Sequence, residues 1–463
     1  MIRQLSLTDV GPARKLEFDF APRLNILTGD NGLGKSFVLD ILWWVLTTTW
    51  SGRKALPWVP PETIGFDEEA ETPDEELHPS IRATLGDRMA DDSSSVLRTG
   101  ADFEWTSQDW VHLPFGLRAE IRRHLAAEAT IPGPGDEGPQ RPPSLVIYAR
   151  VDGSFAIWDA YQTKGRIDTF ADAAILLSPD EVWGGKFQPD PAAPGGRRTV
   201  SAGLIADVVA WQQRDSSAEL SDLRKVLGVL SPPDEPLVLG VPRRVYIDDR
   251  RDVPTVSMSY GTVPMSLASA GMQRALALAY LIVWSWSEHE KAAKLARRRP
   301  TRDVVVLLDE PEVHQHPSWQ RAFLPAVLKA VSMIARNADV QLVTATHSPL
   351  VLASLEPHFD AKLDALFAFD LMPRAHRVKV EKMPWRPLGD VSNWLTSDVF
   401  DLGYARSREA EEALKKAVRV LDKPDLSLEE ARKIHRELHR ALGETDPFWA
   451  RWESFARAKG IEP

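Results

Sequence analysis

The chain has 463 residues, of which 43% are hydrophobic and 26% charged, with a formal net charge of -10 and no cysteine. That length suits two or three domains and that balance suits a globular chain. The absence of cysteine excludes disulfides, thiolate catalysis and Cys-ligated zinc, the acidic balance excludes a surface coated in basic charge, and no apolar run approaches the roughly 18 residues of a membrane span.

Met1-Ile2-Arg3-Gln4 leads directly into a strand instead of a signal peptide, so the expected location is the cytoplasm, without membrane attachment. Leu16, Phe18 and Phe20 alternate, and the apolar run Leu24-Asn25-Ile26-Leu27 then enters Gly29-Asp30-Asn31-Gly32-Leu33-Gly34-Lys35-Ser36. This segment fits the phosphate-loop pattern G-x-x-x-x-G-K-[ST] at every fixed position. Its glycines let successive amides turn inward, Lys35 is able to reach the β- and γ-phosphates of a nucleotide, and the Ser36 hydroxyl is able to coordinate Mg²⁺. Phe37 to Leu46 is predicted as a buried helix whose N-terminus faces the anion.

From Ser51 to Asp102 the chain turns rich in Pro, Asp and Glu, including the run Phe66 to Glu76, and a solvated loop is expected there. A second breaker-rich stretch, Ile131 to Pro139, precedes a strand over Ser144 to Val151. Asp152-Gly153 is predicted as a turn into a second strand, Ser154 to Trp158, making a hairpin. A Pro/Gly-rich loop over Gln188 to Gly196 is followed by helical patterns at Leu204 to Gln213 and Leu220 to Leu230. The whole stretch 51–234 is expected to be an α+β insertion into a nucleotide-binding domain.

Ala268 to Arg274 opens an apolar helix running to about Trp286; a Ser-x-Gly turn there presents a hydroxyl, free amides and a positive dipole end, although taken alone a plain N-cap explains it better. Val304 to Leu308 is a continuous apolar run, expected as a strand buried on both faces of a parallel sheet. At its end Asp309 is placed to hold Mg²⁺, and Glu310 to orient or deprotonate a water. His314 and His316 follow without the further ligands a metal site would need. The strand Val340 to Thr346 ends at His347, an imidazole able to meet a γ-phosphate or the attacking water, or merely a satisfied loop histidine.

Taken together, these four elements resemble the ATP-binding-cassette type of ATPase, in the AAA-family branch that contains RecF-like and SMC-like heads and the stand-alone ATPases of bacterial anti-phage systems such as Septu. The resemblance covers about 1–50 and 240–370. On it, Gly29, Asp30, Asn31, Gly32, Leu33, Gly34, Lys35 and Ser36 form Walker A, Ser269 to Gln273 the signature motif, with Ser269 and Gly271 as nucleotide contacts, Asp309-Glu310 Walker B, and His347 the H-switch. It implies an α/β fold: an ABC-type P-loop ATPase head with a mostly parallel sheet flanked by helices, an N-terminal antiparallel lobe and a helical C-terminal tail. The head comprises 1–50 and 235–375, and the mainly helical region 376–463. ATP and Mg²⁺ are the implied cofactors, with Glu310 and His347 catalytic and Ser36 and Asp309 on the metal. A head-to-tail dimer or higher homo-oligomer is implied, each nucleotide lying between Walker A of one chain and Ser269 of another.

The chain departs from that family in places. Its first glutamine after Walker A is Gln108, too remote for a convincing Q-loop, and no long heptad pattern supplies coiled-coil arms. The segment after His347 lacks the acidic pattern of a fused Toprim nuclease. The C-terminal stretch carries Ser427-Leu428-Glu429-Glu430, a capping-box pattern before a helix to about Leu442, and Asp446-Pro447 then opens a helix carrying Phe448, Trp449, Trp452 and Phe455. These aromatics are expected to pack on their own domain.

The resemblance therefore implies an ATPase that controls a separately encoded nuclease effector, of HNH or Toprim type, in anti-phage defence; the alternative is a RecF-like repair or recombination ATPase that binds DNA itself. A basic run, Lys291, Lys294, Arg297, Arg298, Arg299 and Arg302, is either a solvated helix end or a strip contacting DNA or RNA phosphates.

Overall fold

A computed structural model describes residues 1–58, 77–86, 97–104, 107, 109–112, 145–163, 174–190, 193, 195–232, 234–297, 299–372, 377–421 and 426–461. Its strands, in chain order, are β1 (Ile2–Val10), β2 (Ala13–Asp19), β3 (Leu24–Gly29), β4 (Ser80–Leu85), β5 (Leu97–Glu104), β6 (Asp109–His112), β7 (Leu145–Ala149), β8 (Phe155–Asp159) and β9 (Ala174–Leu177). They continue as β10 (Lys186–Pro189), β11 (Arg197–Ser201), β12 (Val238–Arg244), β13 (Asp252–Met258), β14 (Gly261–Pro264), β15 (Asp303–Asp309), β16 (Asp339–Ala345), β17 (Asp364–Met372) and β18 (Arg377–Met383). The chain divides into two compact units, Met1–Pro387 and Leu388–Pro463.

In the first unit an eight-stranded sheet has the order β18-β17-β3-β16-β15-β7-β8-β9. Its middle five strands are parallel, as the two-sided burial of Val304 to Leu308 requires, and β18, β8 and β9 are antiparallel additions at the edges. A five-stranded antiparallel sheet, β2-β1-β4-β5-β6, forms the N-terminal lobe. The first unit is thus an α/β head, a mostly parallel sheet with helices, joined to an N-terminal antiparallel lobe. Phe18 on β2 and Phe20 just beyond it meet Phe367 on β17 with ring centroids 5.5 and 5.6 Å apart, fusing the two sheets through one apolar core. Polar clamps fix their register: the buried Gln341 amide accepts from Ile2 N at 2.8 Å and donates to Ile2 O and Ala21 O, and Asn25 exchanges two bonds with Ala21. A one-residue slip would orphan all of these buried groups, which is how polar side chains specify a single pairing.

The described strands of the stretch 51–234 are woven into the head's sheets. Strands β4 to β6 extend the N-terminal lobe, and β7 lies directly beside β15 in the main sheet. The solvated loop expected over 51–102 is corrected in the same way: Ile81, Ala83 and Leu85 alternate inward on β4 and pack into the core, a short period-2 pattern diluted by its acidic surroundings. The acidic run 66–76 and the breaker stretch 131–139 lie outside the described residues. The predicted hairpin is present, with β7 and β8 paired around Gly153 at φ +81° and the Ser154 amide donating to Asp152 Oδ1 at 2.9 Å.

The helix Lys35–Thr47 is apolar from Val38 through Leu46 except at Asp40, and those apolar residues are buried accordingly. The helix Ala270–Leu295 is buried from Ala275 to Trp286 for the same reason. In the second unit the helices Arg408–Leu421, Leu428–Ala441 and Phe448–Ala458 close around Leu414, Leu438 and Trp452, and Trp449 is buried in the same core. Ser427 caps its helix through Glu430 N at 3.2 Å, while its hydroxyl bonds the Glu430 carboxylate at 2.9 Å.

Candidate functional site

The parallel register determines which loops meet. Asp309 is paired with Ala345, and Ala345 with Leu27, so the segments leaving β15, β16 and β3 emerge side by side at the carboxyl edge of the sheet. That edge is where open α/β sheets bind ligands. Lys35, Ser36, Asp309, Glu310 and His347 converge there.

The phosphate loop begins at Gly29, φ +121°, where a Cβ would stand 2.1 Å from Phe369 O on the neighbouring strand, so only glycine fits. Asp30, Asn31 and Gly32 are exposed at the loop's tip, and Leu33 is buried beneath it. Lys35 is only 4% exposed, and its ammonium donates to Gly29 O at 2.9 Å and Asp30 O at 2.6 Å. Burial pulls its pKa down to about 8, against the attraction of Glu310, Asp30 and Asp309. A cation held this way in a loop of backbone amides is suited to an anionic ligand that compensates its charge.

Across from it, the Ser36 hydroxyl donates to Asp309 Oδ1 at 2.9 Å. Asp309 is 2% exposed, and burial, reinforced by the charges of Glu310 and Asp40, raises its pKa to about 6. Glu310 follows with φ +44°, unusual for a residue with a side chain, and its amide donates to Ala345 O at 2.9 Å. Such backbone costs of order 1–3 kcal/mol and is kept at working sites. Glu310 Oε1 lies 3.3 Å from His347 Nε2. Burial, helped by the Lys35 charge, lowers the His347 pKa, which keeps the imidazole neutral at pH 7.

Two hard oxygens facing each other beside a lysine-bearing loop match what Mg²⁺ takes from a protein in nucleotide sites, one or two oxygen ligands with the rest from water and phosphate. Ser36 and Asp309 are the residues that would hold it. The donor set present therefore fits a Mg²⁺-nucleotide.

The two family-model matches agree with this chemistry. Residues 234–353 match a family model described as "AAA domain, putative AbiEii toxin, Type IV TA system", and residues 4–68 match one described as "AAA domain". The chain is similar to AAA-domain ATPases. The first of these segments carries the carboxylate pair Asp309-Glu310 and the second carries the phosphate loop. Similar solved structures include the SMC head domain from Thermotoga maritima, 13% identical, covering 83% of this chain and 99% of that one with a TM-score of 0.37. An Smc head with an extended coiled coil, bound to the C-terminal domain of ScpA derived from Pyrococcus furiosus, is 12% identical over 82% of this chain and 96% of that one, TM-score 0.41. The recombination mediator RecF is 12% identical over 83% and 98%, TM-score 0.35. Comparison with curated proteins finds no match.

Ser269 and Gly271 lie elsewhere on the head. Ser269 is exposed and caps the helix Ala270–Leu295, accepting from Met272 N at 3.4 Å, so the simple capping geometry is present. With Glu235, Gly271, His314, His316 and Trp319 it lines a cleft of 310 Å³, and no residue of 29–36 lines that cleft. A Cβ on Gly271 would come within 2.6 Å of His314 O, so the helix start sits hard against the segment after Asp309. His316 is a helix cap, its Nδ1 accepting from Ser318 N at 3.3 Å.

Several working residues were not singled out from the sequence. Arg274, half-buried at the start of an apolar helix, donates to Asp309 O at 2.9 Å, Arg150 O at 3.1 Å and Val151 O at 2.7 Å, tying that helix to the Asp309 strand end and the β7–β8 turn. Asp40, a lone acid in an apolar helix, accepts from Ser51 Oγ at 2.8 Å, and burial raises its pKa. A lone charge within an apolar run was the available signal for both. In the basic run, Lys291 is held by Glu288 at 3.0 Å and Glu219 at 3.2 Å, and Arg298 lies outside the described residues, as does Gln108. Among the described residues no helix is long and apolar enough to cross a membrane.

Proposed function

We propose that the protein binds Mg²⁺-ATP at the 29–36 loop and hydrolyses it. The observation that carries this reading is the meeting of Ser36 and Asp309 at 2.9 Å, beside the buried Lys35 and the Glu310–His347 pair. Lys35 supplies positive charge to the β- and γ-phosphates, and the loop amides wrap the anion. Mg²⁺ held by Ser36 and Asp309 would supply charge neutralisation to the phosphates. Glu310 orients a water in line with the γ-phosphorus and accepts its proton, a role worth about 10²–10⁴-fold in rate. The neutral His347 donates to Glu310 or to a γ-oxygen and so holds that geometry.

Ser269 and Gly271 act on the nucleotide of a second copy in a head-to-tail pair; the exposure of Ser269, and a cleft without phosphate-loop residues, favour action in trans. Hydrolysis in such a pair changes how two heads hold each other, and this motion controls a partner effector. A separately encoded nuclease in anti-phage defence is the partner we favour, and the matched model described as a putative AbiEii toxin supports a defence setting. The test is ATP hydrolysis by the purified protein with and without Mg²⁺. Lys35→Ala should lose nucleotide binding, and unchanged affinity in that variant would reject the site. Co-expression with the product of the adjacent open reading frame tests the effector.

A further inference from the structure

Glu312 lies three residues beyond Asp309, in a turn closed by Val313 N to Glu310 O at 3.1 Å and Gln315 N to Glu312 O at 3.0 Å. Its side chain crosses to the segment that leaves the neighbouring strand β16. There Oε1 accepts from the Thr346 hydroxyl at 2.5 Å and from the His347 amide at 3.2 Å. Thr346 Oγ1 in turn accepts from Ser348 N at 3.0 Å, so one carboxylate oxygen holds the whole turn from Thr346 to Ser348. His347 is thereby gripped at both ends by acids of a single turn, its amide by Glu312 and its ring Nε2 by Glu310 at 3.3 Å.

Glu312 is 7% exposed, and its Oε2 is buried without a hydrogen-bond partner among the described residues. Burial raises its pKa. A buried carboxyl with one oxygen unsatisfied costs desolvation, which its two bonds to Thr346 and the His347 amide offset. Retaining it makes sense where the loop carries a group whose position matters.

We propose that Glu312 is a positioning residue for hydrolysis: through Thr346 and the His347 amide it sets the His347 imidazole against Glu310. The proposal rests on the ATPase reading for its kinetic consequence, but its geometric content is measurable without nucleotide. Parent, Glu312→Ala, Glu312→Gln, His347→Ala and the Glu312→Ala/His347→Ala double variant would be compared. The His347 ring titration is followed by NMR in nucleotide-free protein, assigned by the signal missing from His347→Ala, alongside single-turnover rate and KM for ATP.

In Glu312→Ala the His347 titration should move up toward the ordinary imidazole value of about 6.5 as the ring loosens from its buried position. Hydrolysis should fall about tenfold to a hundredfold, as misplacement of a reacting group does, with KM for ATP unchanged. Glu312→Gln should match the parent in both readouts, because its amide oxygen accepts the same two bonds. The double variant should be no slower than His347→Ala, since a residue acting through His347 has nothing left to position. An unmoved His347 titration in Glu312→Ala, or losses that multiply in the double variant, would overturn the proposal. Should Glu312→Ala not fold, Glu312→Met fills the volume and gives the same readouts. A parent that does not hydrolyse ATP would reject the ATPase reading instead, while the titration still decides the role of Glu312.

Discussion

The Ser36 hydroxyl donates to Asp309 Oδ1 across 2.9 Å although 273 residues separate them in the chain. One sits at the start of the helix after β3 and the other at the end of β15, with β16 between those two strands. The contact defines where a divalent cation would be held, and it sets a neutral donor, with the Arg274 charge, against the burial of an acid.

Asp309 should therefore leave a pH signature on stability. Its folded pKa of about 6 exceeds the reference value of 3.8, so the folded state binds this proton more tightly than the unfolded state does. The resulting stability is fully present below about pH 3.8 and is lost as pH rises through about 6. By pH 8 the loss amounts to about 3 kcal/mol at order of magnitude. Asp309→Asn keeps an acceptor for Ser36 and removes the titration, so at pH 8 without nucleotide it should melt above the parent, the gap closing near pH 4. Parallel melting curves across that range would mean that burial does not perturb Asp309.

Gly271→Ala tests the contact between the helix start and the segment after Asp309. The added Cβ would meet His314 O, a backbone atom that has to shift, at a cost of about 1–3 kcal/mol. ATP binding at the phosphate loop should persist while hydrolysis by the assembled protein falls. A variant with parental stability and turnover would show that the segment yields freely.

Much of this site is encoded locally and was legible from sequence. The 29–36 loop is a contiguous pattern, and the runs ending at Asp309 and at His347 announce buried strands by composition alone. What was hidden depends on pairing between distant segments. Nothing near residues 145–149 states that β7 lies beside β15, and β18 (Arg377–Met383) falls after the expected domain boundary at 376 yet pairs with β17 in the main sheet. Glu312 meets Thr346 34 residues later, so its role appears only once β15 and β16 are adjacent. Arg274 looked like the end of a motif until its three carbonyl partners were in place.

Ser269 should act on the nucleotide of another copy. Mixing Ser269→Arg chains with Lys35→Ala chains gathers both lesions into one composite site of a mixed pair and leaves the other intact. Partial recovery of hydrolysis is expected. No recovery at any ratio, with mixed pairs shown to form by mass, would contradict head-to-tail action.

The central claim is that Glu310 activates water at a site formed by Lys35, Ser36 and Asp309, and single-turnover hydrolysis of bound ATP by Glu310→Gln tests it most directly. The amide keeps the shape of the side chain but does not accept the proton, so this variant should bind Mg²⁺-ATP with parental affinity and hydrolyse it at least about 10²-fold more slowly. It should accumulate as an ATP-bound pair of heads. Hydrolysis at the parental rate, with ATP demonstrably bound, would contradict the account and place the base elsewhere in the site, with His347 the next candidate.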